Sequence, residues 1–222
     1  MLKCVNFSKS YGKEAIIQSS SFELRENKIS FLMGPNGSGK TTLIKCMMGM
    51  EKYDGQFQFN GQAMNQVKDQ CLVLWDDCPF YTNLSGIKNL YIFSENKKTK
   101  KQIDKIAVKY LEHGILKNKV STYSYGQKKK LALILVEILE PELLIMDEIS
   151  NGLDYEMIRR LQDIIKGWSE KMTILLTGHQ FSFYNDIVDD LLVFKDKEIV
   201  VLQEDFIESG KELGDIYDKE IL

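Results

Sequence analysis

Gly34-Pro35-Asn36-Gly37-Ser38-Gly39-Lys40-Thr41 fits the pattern G-x-x-x-x-G-K-[ST]. The stretch follows a predicted strand from Lys28 to Met33 and begins a predicted helix that continues through Met48. Glycines in such a loop let backbone N–H groups converge on phosphate oxygens, and the helix N-terminus adds a favourable dipole. Lys40 is expected to contact the β- and γ-phosphates, and Thr41 to ligate Mg²⁺. The motif predicts a nucleoside triphosphate site, and we include the adjacent Thr42 in it.

Hydrophobic patterning outside this loop predicts an α/β fold. The segment before the loop is strand-rich, and Gly55 to Gly61 alternates like a further strand. Leu143–Met146 and Thr173–Leu176 are unbroken apolar runs, typical of buried parallel strands, with a predicted helix from Asp154 to about Trp168 between them. The tail from Leu191 predicts a strand pair and a short helix. Another predicted helix ends near Gly114 and has one apolar face, formed by Ile103, Ile106, Ala107, Tyr110 and Leu111.

Composition favours a single domain that stays in the cytosol. The chain has 222 residues, 44% of them apolar, and a formal net charge of -3, so no strong field points to nucleic acid. Lysines gather between Lys97 and Lys130, which we interpret as a solvated face. The first residues lack the apolar region of a secretory signal. The most apolar run, Leu131 to Leu139, contains Glu137 and is shorter than the roughly 20 residues of a membrane-spanning helix.

The cysteines indicate no disulfide framework and no zinc site. They are too widely spaced for a CxxC pair, and we expect reduced thiols that serve as packing residues: Cys4, Cys46, Cys71 and Cys78.

An acidic pair closes the second apolar strand. The sequence there is Leu143-Leu144-Ile145-Met146-Asp147-Glu148. Asp147 is placed to hold Mg²⁺ through its water shell, and Glu148 to polarise an attacking water. An acidic strand end is common, so this pair gains weight only from its neighbours in the sequence.

Those neighbours resemble the ATP-binding cassette (ABC) family. The stretch Tyr123-Ser124-Tyr125-Gly126-Gln127 is similar to the family signature L-S-G-G-Q, and it keeps the second position and the last two. The acidic strand follows, and then Asn151-Gly152-Leu153-Asp154 stands in the place of the loop that crosses the family's dimer interface. His179, after Thr177-Gly178, matches the family's switch histidine. The resemblance covers essentially the whole chain.

The resemblance implies a P-loop NTPase fold of the ABC ATPase type. It has a mainly parallel core sheet, an antiparallel β subdomain and a helical subdomain, here inserted at about residues 80–140 of a single domain spanning 1–222. It also implies a head-to-tail dimer around two ATP molecules, with Ser124, Gly126, Gln127 and Asp154 among the residues at the shared site. His179 would contact the γ-phosphate, and Tyr11 would stack on adenine.

Besides Tyr123 at the first signature position, three residues depart from the family pattern. The family has a glutamine that touches Mg²⁺ between the subdomains, and counting back from Asn83–Leu90 places Asp76 there, with Asp77 as the alternative. We expect Asp76 to be a third metal ligand, beside Thr41 and Asp147. Ile149 replaces a proline after the predicted catalytic glutamate, and Tyr125 occupies the centre of the signature.

The resulting hypothesis is an ATPase subunit that binds ATP and Mg²⁺ and drives a transporter, with export favoured. Its expected partners are a second ABC ATPase subunit, with a homodimer favoured, and an integral membrane permease that holds it at the inner face of the cell membrane. Direct nucleic-acid binding is not expected. The alternatives are a soluble ABC ATPase of the nucleic-acid or translation type and a slow nucleotide-gated switch.

Overall fold

A computed structural model describes residues 1–221 of the chain. Residues 1–221 form ten strands, and the strands buried at every position, such as Ile29–Met33 and Leu143–Asp147, are short and mainly apolar. Their bounds are β1 Leu2–Tyr11, β2 Glu14–Leu24, β3 Ile29–Met33, β4 Asp54–Phe59, β5 Gln62–Ala63, β6 Cys71–Leu74, β7 Leu143–Asp147, β8 Thr173–Thr177, β9 Asp190–Lys195 and β10 Glu198–Gln203.

The strands form two sheets, as the fold prediction requires. The core sheet has six strands in the order β10-β9-β3-β8-β7-β6, and all its pairs are parallel except β10 with β9. The second sheet has the order β2-β1-β4-β5 and is antiparallel. Parallel strands need crossover helices, and their carboxyl ends meet at one sheet edge. The loops after β3, β6, β7 and β8 therefore share that edge.

Eight α-helices and four short 3₁₀ helices complete the fold of the described residues. Four of them, α2 to α5, lie between β6 and β7 in the chain, within the range where the sequence predicts an inserted helical subdomain. The bounds are α1 Lys40–Met47, α2 Gly86–Phe93, α3 Lys100–Ala107, α4 His113–Lys117, α5 Tyr125–Leu139, α6 Tyr155–Ser169, α7 Phe181–Tyr184 and α8 Leu213–Glu220. Within residues 1–221, no helix is both long enough and apolar enough to span a membrane.

One predicted helix boundary was wrong. The helix expected to end near Gly114 ends at Ala107, and Gly114 lies inside the separate helix α4. The expected apolar face is nevertheless largely buried, because the chain beyond Ala107 turns and places Tyr110 and Leu111 in the same core. These apolar side chains therefore reach the core without a continuous helix.

Two hydrophobic cores lie on opposite faces of the core sheet. Alternate residues of β7 supply them, because successive side chains of a strand point to opposite faces. Leu144 and Met146 pack with helices α2 to α8, whereas Leu143 and Ile145 pack with α1 and the antiparallel sheet. The strand is therefore apolar at every position, as the sequence predicted, until Asp147 at its carboxyl end. Because β7 is buried on both faces, the position of Asp147 at the end of the sheet is fixed by the packing of the strand.

The cysteines are free thiols, as expected. Three are buried and Cys71 is half-buried. Burial raises the pKa of the Cys71 and Cys78 thiols to about 11, so both remain protonated at neutral pH.

Candidate functional site

The loop between β3 and α1 has the geometry of an anion site. Gly39 has φ +114°, which favours glycine, and the helix that follows has no side-chain cap on its first N–H groups. Lys40 is buried, and its Nζ donates to the carbonyl oxygens of Gly34 and Pro35 at 2.7 and 3.0 Å. Burial lowers the pKa of Lys40, while Glu148 and Asp147 act in the opposite direction. The loop thus combines uncapped backbone donors with one ammonium group.

Two further features of this loop fit a triphosphate. The Ser38 Oγ is buried and has no hydrogen-bond partner in the protein, which is costly unless a ligand supplies one. A Cβ at Gly34 would lie 2.7 Å from the Phe194 Cβ, so the backbone here approaches its neighbours too closely for any larger residue. Both observations suit a loop wrapped around phosphate oxygens.

Thr41 and Asp147 face each other across this site. The Thr41 hydroxyl donates to Asp147 Oδ2 at 3.2 Å, and the Thr177 hydroxyl donates to Oδ1 at 2.5 Å. A hydroxyl and a carboxylate are ligands that Mg²⁺ accepts beside phosphate oxygens and water. Within residues 1–221, no group of three or more His, Cys, Asp or Glu side chains could hold a metal by itself. The donor set fits Mg²⁺ that is shared with a nucleotide.

Glu148 and His179 lie next to each other beyond that pair. Their Oε1 and Nε2 atoms are 3.6 Å apart, and the His179 Nε2 is buried without a hydrogen-bond partner. Glu148 has φ +54°, which is uncommon for a residue with a side chain, and its Oε2 accepts a 2.6 Å hydrogen bond from Asn151 Nδ2. The two side chains are close enough to share one water molecule or phosphate oxygen.

A cleft of about 510 Å³ brings the predicted metal ligands together. Its lining includes Thr41, Asp76, Asp77, Asp147 and Glu148. In the described part of the chain, no residue of the signature stretch 123–127 lines this cleft. One chain therefore presents Thr41 and the acids on a surface that no residue of its own signature lines.

The signature residues cap a helix of their own. The Ser124 Oγ accepts from the Gln127 N–H at 3.2 Å, and the Gln127 Oε1 accepts from the Ser124 N–H at 3.0 Å, which is a capping box at the start of α5. Gly126 lies against the Gly152 carbonyl, where a Cβ would come within 2.9 Å. Asp154 likewise caps α6 through the Met157 N–H. These residues have structural roles in one chain, whatever they contact in an assembly.

Tyr11 stands at the end of β1 and is 48% exposed. Its hydroxyl donates to Glu51, and the Lys9 ammonium lies 4.4 Å from the ring centroid. The hydrogen bond to Glu51 raises the pKa of Tyr11. The ring is therefore held in place and remains accessible to an aromatic base.

Asp76 is held by two residues of α5. Its Oδ1 accepts from Lys129 Nζ at 3.0 Å and from the Tyr125 hydroxyl. Burial alone would raise the pKa of Asp76, but the hydrogen bonds from Tyr125 and Lys129 outweigh it, and the pKa lies below its usual range. Asp77, by contrast, is exposed. Asp76 as a metal ligand stays a prediction, since the structure shows its partners within the protein only.

Lys129 is the residue that sequence reasoning missed. The lysine-rich segment was interpreted as a solvated face, and this was wrong for Lys129, which is fully buried. The pattern of α5 gave no signal for it, because residues 131–136 are buried on every side of the helix and no single apolar face points to position 129.

Comparison with known proteins agrees with this geometry. A family model described as ABC transporter matches residues 17–151. The lantibiotic transport ATP-binding protein SrtF of Streptococcus pyogenes is 29% identical over all of this chain and 98% of its own length. The uncharacterized ABC transporter ATP-binding protein MJ1023 of Methanocaldococcus jannaschii is 31% identical over 87% of this chain and 74% of its own. The linearmycin resistance ATP-binding protein LnrL of Bacillus subtilis is 28% identical over 91% of this chain and 68% of its own length.

Solved structures share the fold. The ATP-binding subunit of an ABC transporter superposes with a TM-score of 0.86 at 21% identity, over 99% of this chain and 98% of that one. A dimeric ATP-binding cassette, MJ0796, in a post-hydrolysis state with ADP and Pi superposes with a TM-score of 0.79 at 19% identity. The match covers 93% of this chain and 99% of that one. The motifs, the two sheets and a family match across more than half of the residues lead to one conclusion: the chain belongs to the ABC transporter family.

Proposed function

We propose that this chain binds ATP and hydrolyses it as the energy-supplying subunit of a transporter whose membrane-spanning part is a separate protein. The observation that carries the proposal is the position of three elements at one edge of the core sheet. The phosphate loop follows β3, Asp147 ends β7 with Glu148 directly after it, and His179 follows β8. These are the groups that phosphoryl transfer to water requires.

Each residue has a role that follows from its geometry. The uncapped N–H groups of α1 and the Lys40 ammonium would bind the triphosphate. Mg²⁺, held by Thr41 and Asp147, would supply positive charge beside the β- and γ-phosphates. Glu148 would orient the attacking water and accept its proton. The unpartnered Nε2 of His179, 3.6 Å from the carboxylate of Glu148, would hydrogen-bond the γ-phosphate.

The second part of the proposal is a head-to-tail dimer. The nucleotide cleft of one chain lacks the signature, and Ser124 with Gly126 begins a helix whose N-terminus attracts anions. A second copy would bring this helix to the exposed side of the γ-phosphate. Asp154 and the residues before it would lie at that interface. MJ0796, which has the same fold, is described as a dimer, and this supports the assembly.

Export is the direction that the relatives favour. SrtF is described as a lantibiotic transport protein and LnrL as a linearmycin resistance protein, and in each case the description is of an ATP-binding protein. A separate permease would hold the chain at the inner face of the membrane. The same descriptions weigh against the soluble nucleic-acid or translation type of ABC ATPase.

The test is a tagged chain purified from its native membranes. We expect a polytopic membrane protein to co-purify, and the complex in lipid vesicles to hydrolyse ATP in a Mg²⁺-dependent reaction that Lys40→Ala abolishes. Retention of this activity in Lys40→Ala would contradict the assigned site. Recovery of ribosomes or DNA in place of a membrane protein would contradict the transport role.

A further inference from the structure

Lys129 is a lysine without solvent exposure that the proposed function does not use. Its Nζ donates to Asp76 Oδ1 at 3.0 Å and to the main-chain carbonyl of Glu148 at 3.2 Å. Removing an ammonium group from water is costly unless an opposite charge and hydrogen bonds compensate for it. Both kinds of compensation are present, and both come from the predicted hydrolysis site.

Tyr125 approaches Asp76 from the same face of α5. Residues four apart on a helix are neighbours, and the Lys129 Nζ lies 5.2 Å from the Tyr125 ring centroid. The Tyr125 hydroxyl donates to the Asp76 carboxylate and lies 3.1 Å from the Asp76 carbonyl oxygen. Asp76 and Tyr125 both depart from the family pattern. In this structure the two are in direct contact, beside Lys129.

The backbone of Glu148 has an uncommon conformation, and Lys129 is one of the groups that hydrogen-bond to it. Its φ of +54° lies in the left-handed region, which a residue with a side chain keeps only where its surroundings hold it. The Glu148 N–H donates to the Thr177 carbonyl at 3.1 Å, and the Glu148 carbonyl accepts from Lys129. Lys129 is thus one of the groups that fix the peptide on either side of the predicted base.

We propose that Lys129 is a positioning residue that holds the main chain of Glu148 and neutralises the charge of Asp76. Through it, the helix that begins at Ser124 is bonded to the hydrolytic loop of the same subunit. In the proposed dimer, Ser124 contacts the ATP of the partner subunit, so Lys129 links the two ATP sites. The inference rests on the proposed function, because the position of Glu148 matters only if the chain hydrolyses ATP.

The first test replaces Lys129 with methionine, which keeps the length of the side chain and removes the charge. We expect the ATPase kcat of Lys129→Met to fall about tenfold or more, while ATP affinity measured by calorimetry stays within about threefold. Lys128→Met is the matched control, since Lys128 is the half-buried neighbour on the same helix, and its kcat should equal the wild-type value. A Lys129→Met kcat within about twofold of wild type overturns the proposal.

The second test asks whether Lys129 acts through Asp76. At saturating Mg²⁺, where loss of a metal ligand does not limit the rate, kcat of Asp76→Asn/Lys129→Met should recover about threefold or more over Lys129→Met, because the uncompensated carboxylate is gone. Purely additive losses would overturn this part of the proposal. Tyr125→Phe removes one hydroxyl from a side chain that is 40% exposed, so it should fold normally. Its kcat should fall about two- to fivefold at unchanged ATP affinity, and a wild-type kcat would count against the proposal.

Amide hydrogen exchange separates this inference from the proposed function. In Lys129→Met, exchange should quicken about threefold or more in residues 148–152 and stay unchanged in α1. Unaltered exchange in 148–152 overturns the inference, whether or not the protein turns over. Absence of ATPase activity in the wild-type complex would contradict the proposed function, and this exchange result would still stand.

Discussion

The Thr41 hydroxyl donates a 3.2 Å hydrogen bond to Asp147 Oδ2, across 106 positions of sequence. Thr41 lies in the first turn of α1 and Asp147 ends β7, two strands from β3 in the core sheet. The parallel order of β3, β8 and β7 is what brings the phosphate loop and the acid to the same edge. This pair is where the proposed metal ion would bind.

Asp147→Asn should weaken the binding of Mg²⁺ more than the binding of nucleotide. An amide oxygen is a poorer ligand for a hard cation than a carboxylate, so the Mg²⁺ concentration for half-maximal ATPase activity should rise about tenfold or more. ATP affinity in EDTA should change little. The control is Asp163→Asn, an exposed acid on α6. Equal Mg²⁺ titrations for the two variants would contradict the assignment of Asp147.

Lys40→Ala should remove measurable ATP binding. The Lys40 ammonium now bonds to the carbonyl oxygens of Gly34 and Pro35, and in the complex it would move onto the phosphates at a site otherwise made of backbone donors. Calorimetry should show a loss of affinity of about 10²-fold or more. Lys3→Ala, which breaks a surface ion pair with Glu23, is the control. Affinity of the Lys40 variant within a few-fold of wild type would exclude this phosphate site.

Asp76 and Asp77 provide a matched pair for the third metal ligand. Asp76→Ala should weaken the response of ATPase activity to added Mg²⁺, so that its Mg²⁺ titration differs from that of the wild type. The reason is that it removes a carboxylate from the cleft that contains Thr41 and Asp147. Asp77→Ala removes an exposed neighbour and should leave the titration unchanged. Wild-type metal dependence in both variants would mean that neither acid serves the site.

Tyr11 should contribute to affinity by stacking and not through its hydroxyl. Tyr11→Ala removes a stacking interaction of about 1 kcal/mol, which corresponds to roughly a fivefold loss of ATP affinity. Tyr11→Phe keeps the ring and loses only the hydrogen bond to Glu51, so its affinity should stay close to wild type. If both variants bind ATP equally well, adenine does not stack at Tyr11.

The sequence predicted the parts of this fold whose signals are local. The buried strands read as unbroken apolar runs, since β7 packs on both faces, and the loop before Lys40 has a motif that specifies its backbone. The prediction of a helix end near Gly114 was wrong because it depended on one glycine, whereas tertiary packing decided where the chain turned. Lys129 was missed because a lysine run looks solvated until the acid that pairs with it is known. That acid, Asp76, lies 53 positions away.

Hydrolysis at a site completed by a second copy is tested most directly by Glu148→Gln. The amide still holds the water but cannot accept its proton, so hydrolysis should fall by about 10²-fold or more while ATP binding is retained. With Mg²⁺ and ATP, analytical sedimentation of this variant at about 50 µM should show a dimer that dissociates when nucleotide is removed. A strictly monomeric species under those conditions, or hydrolysis at the wild-type rate, would contradict the shared site built around Glu148.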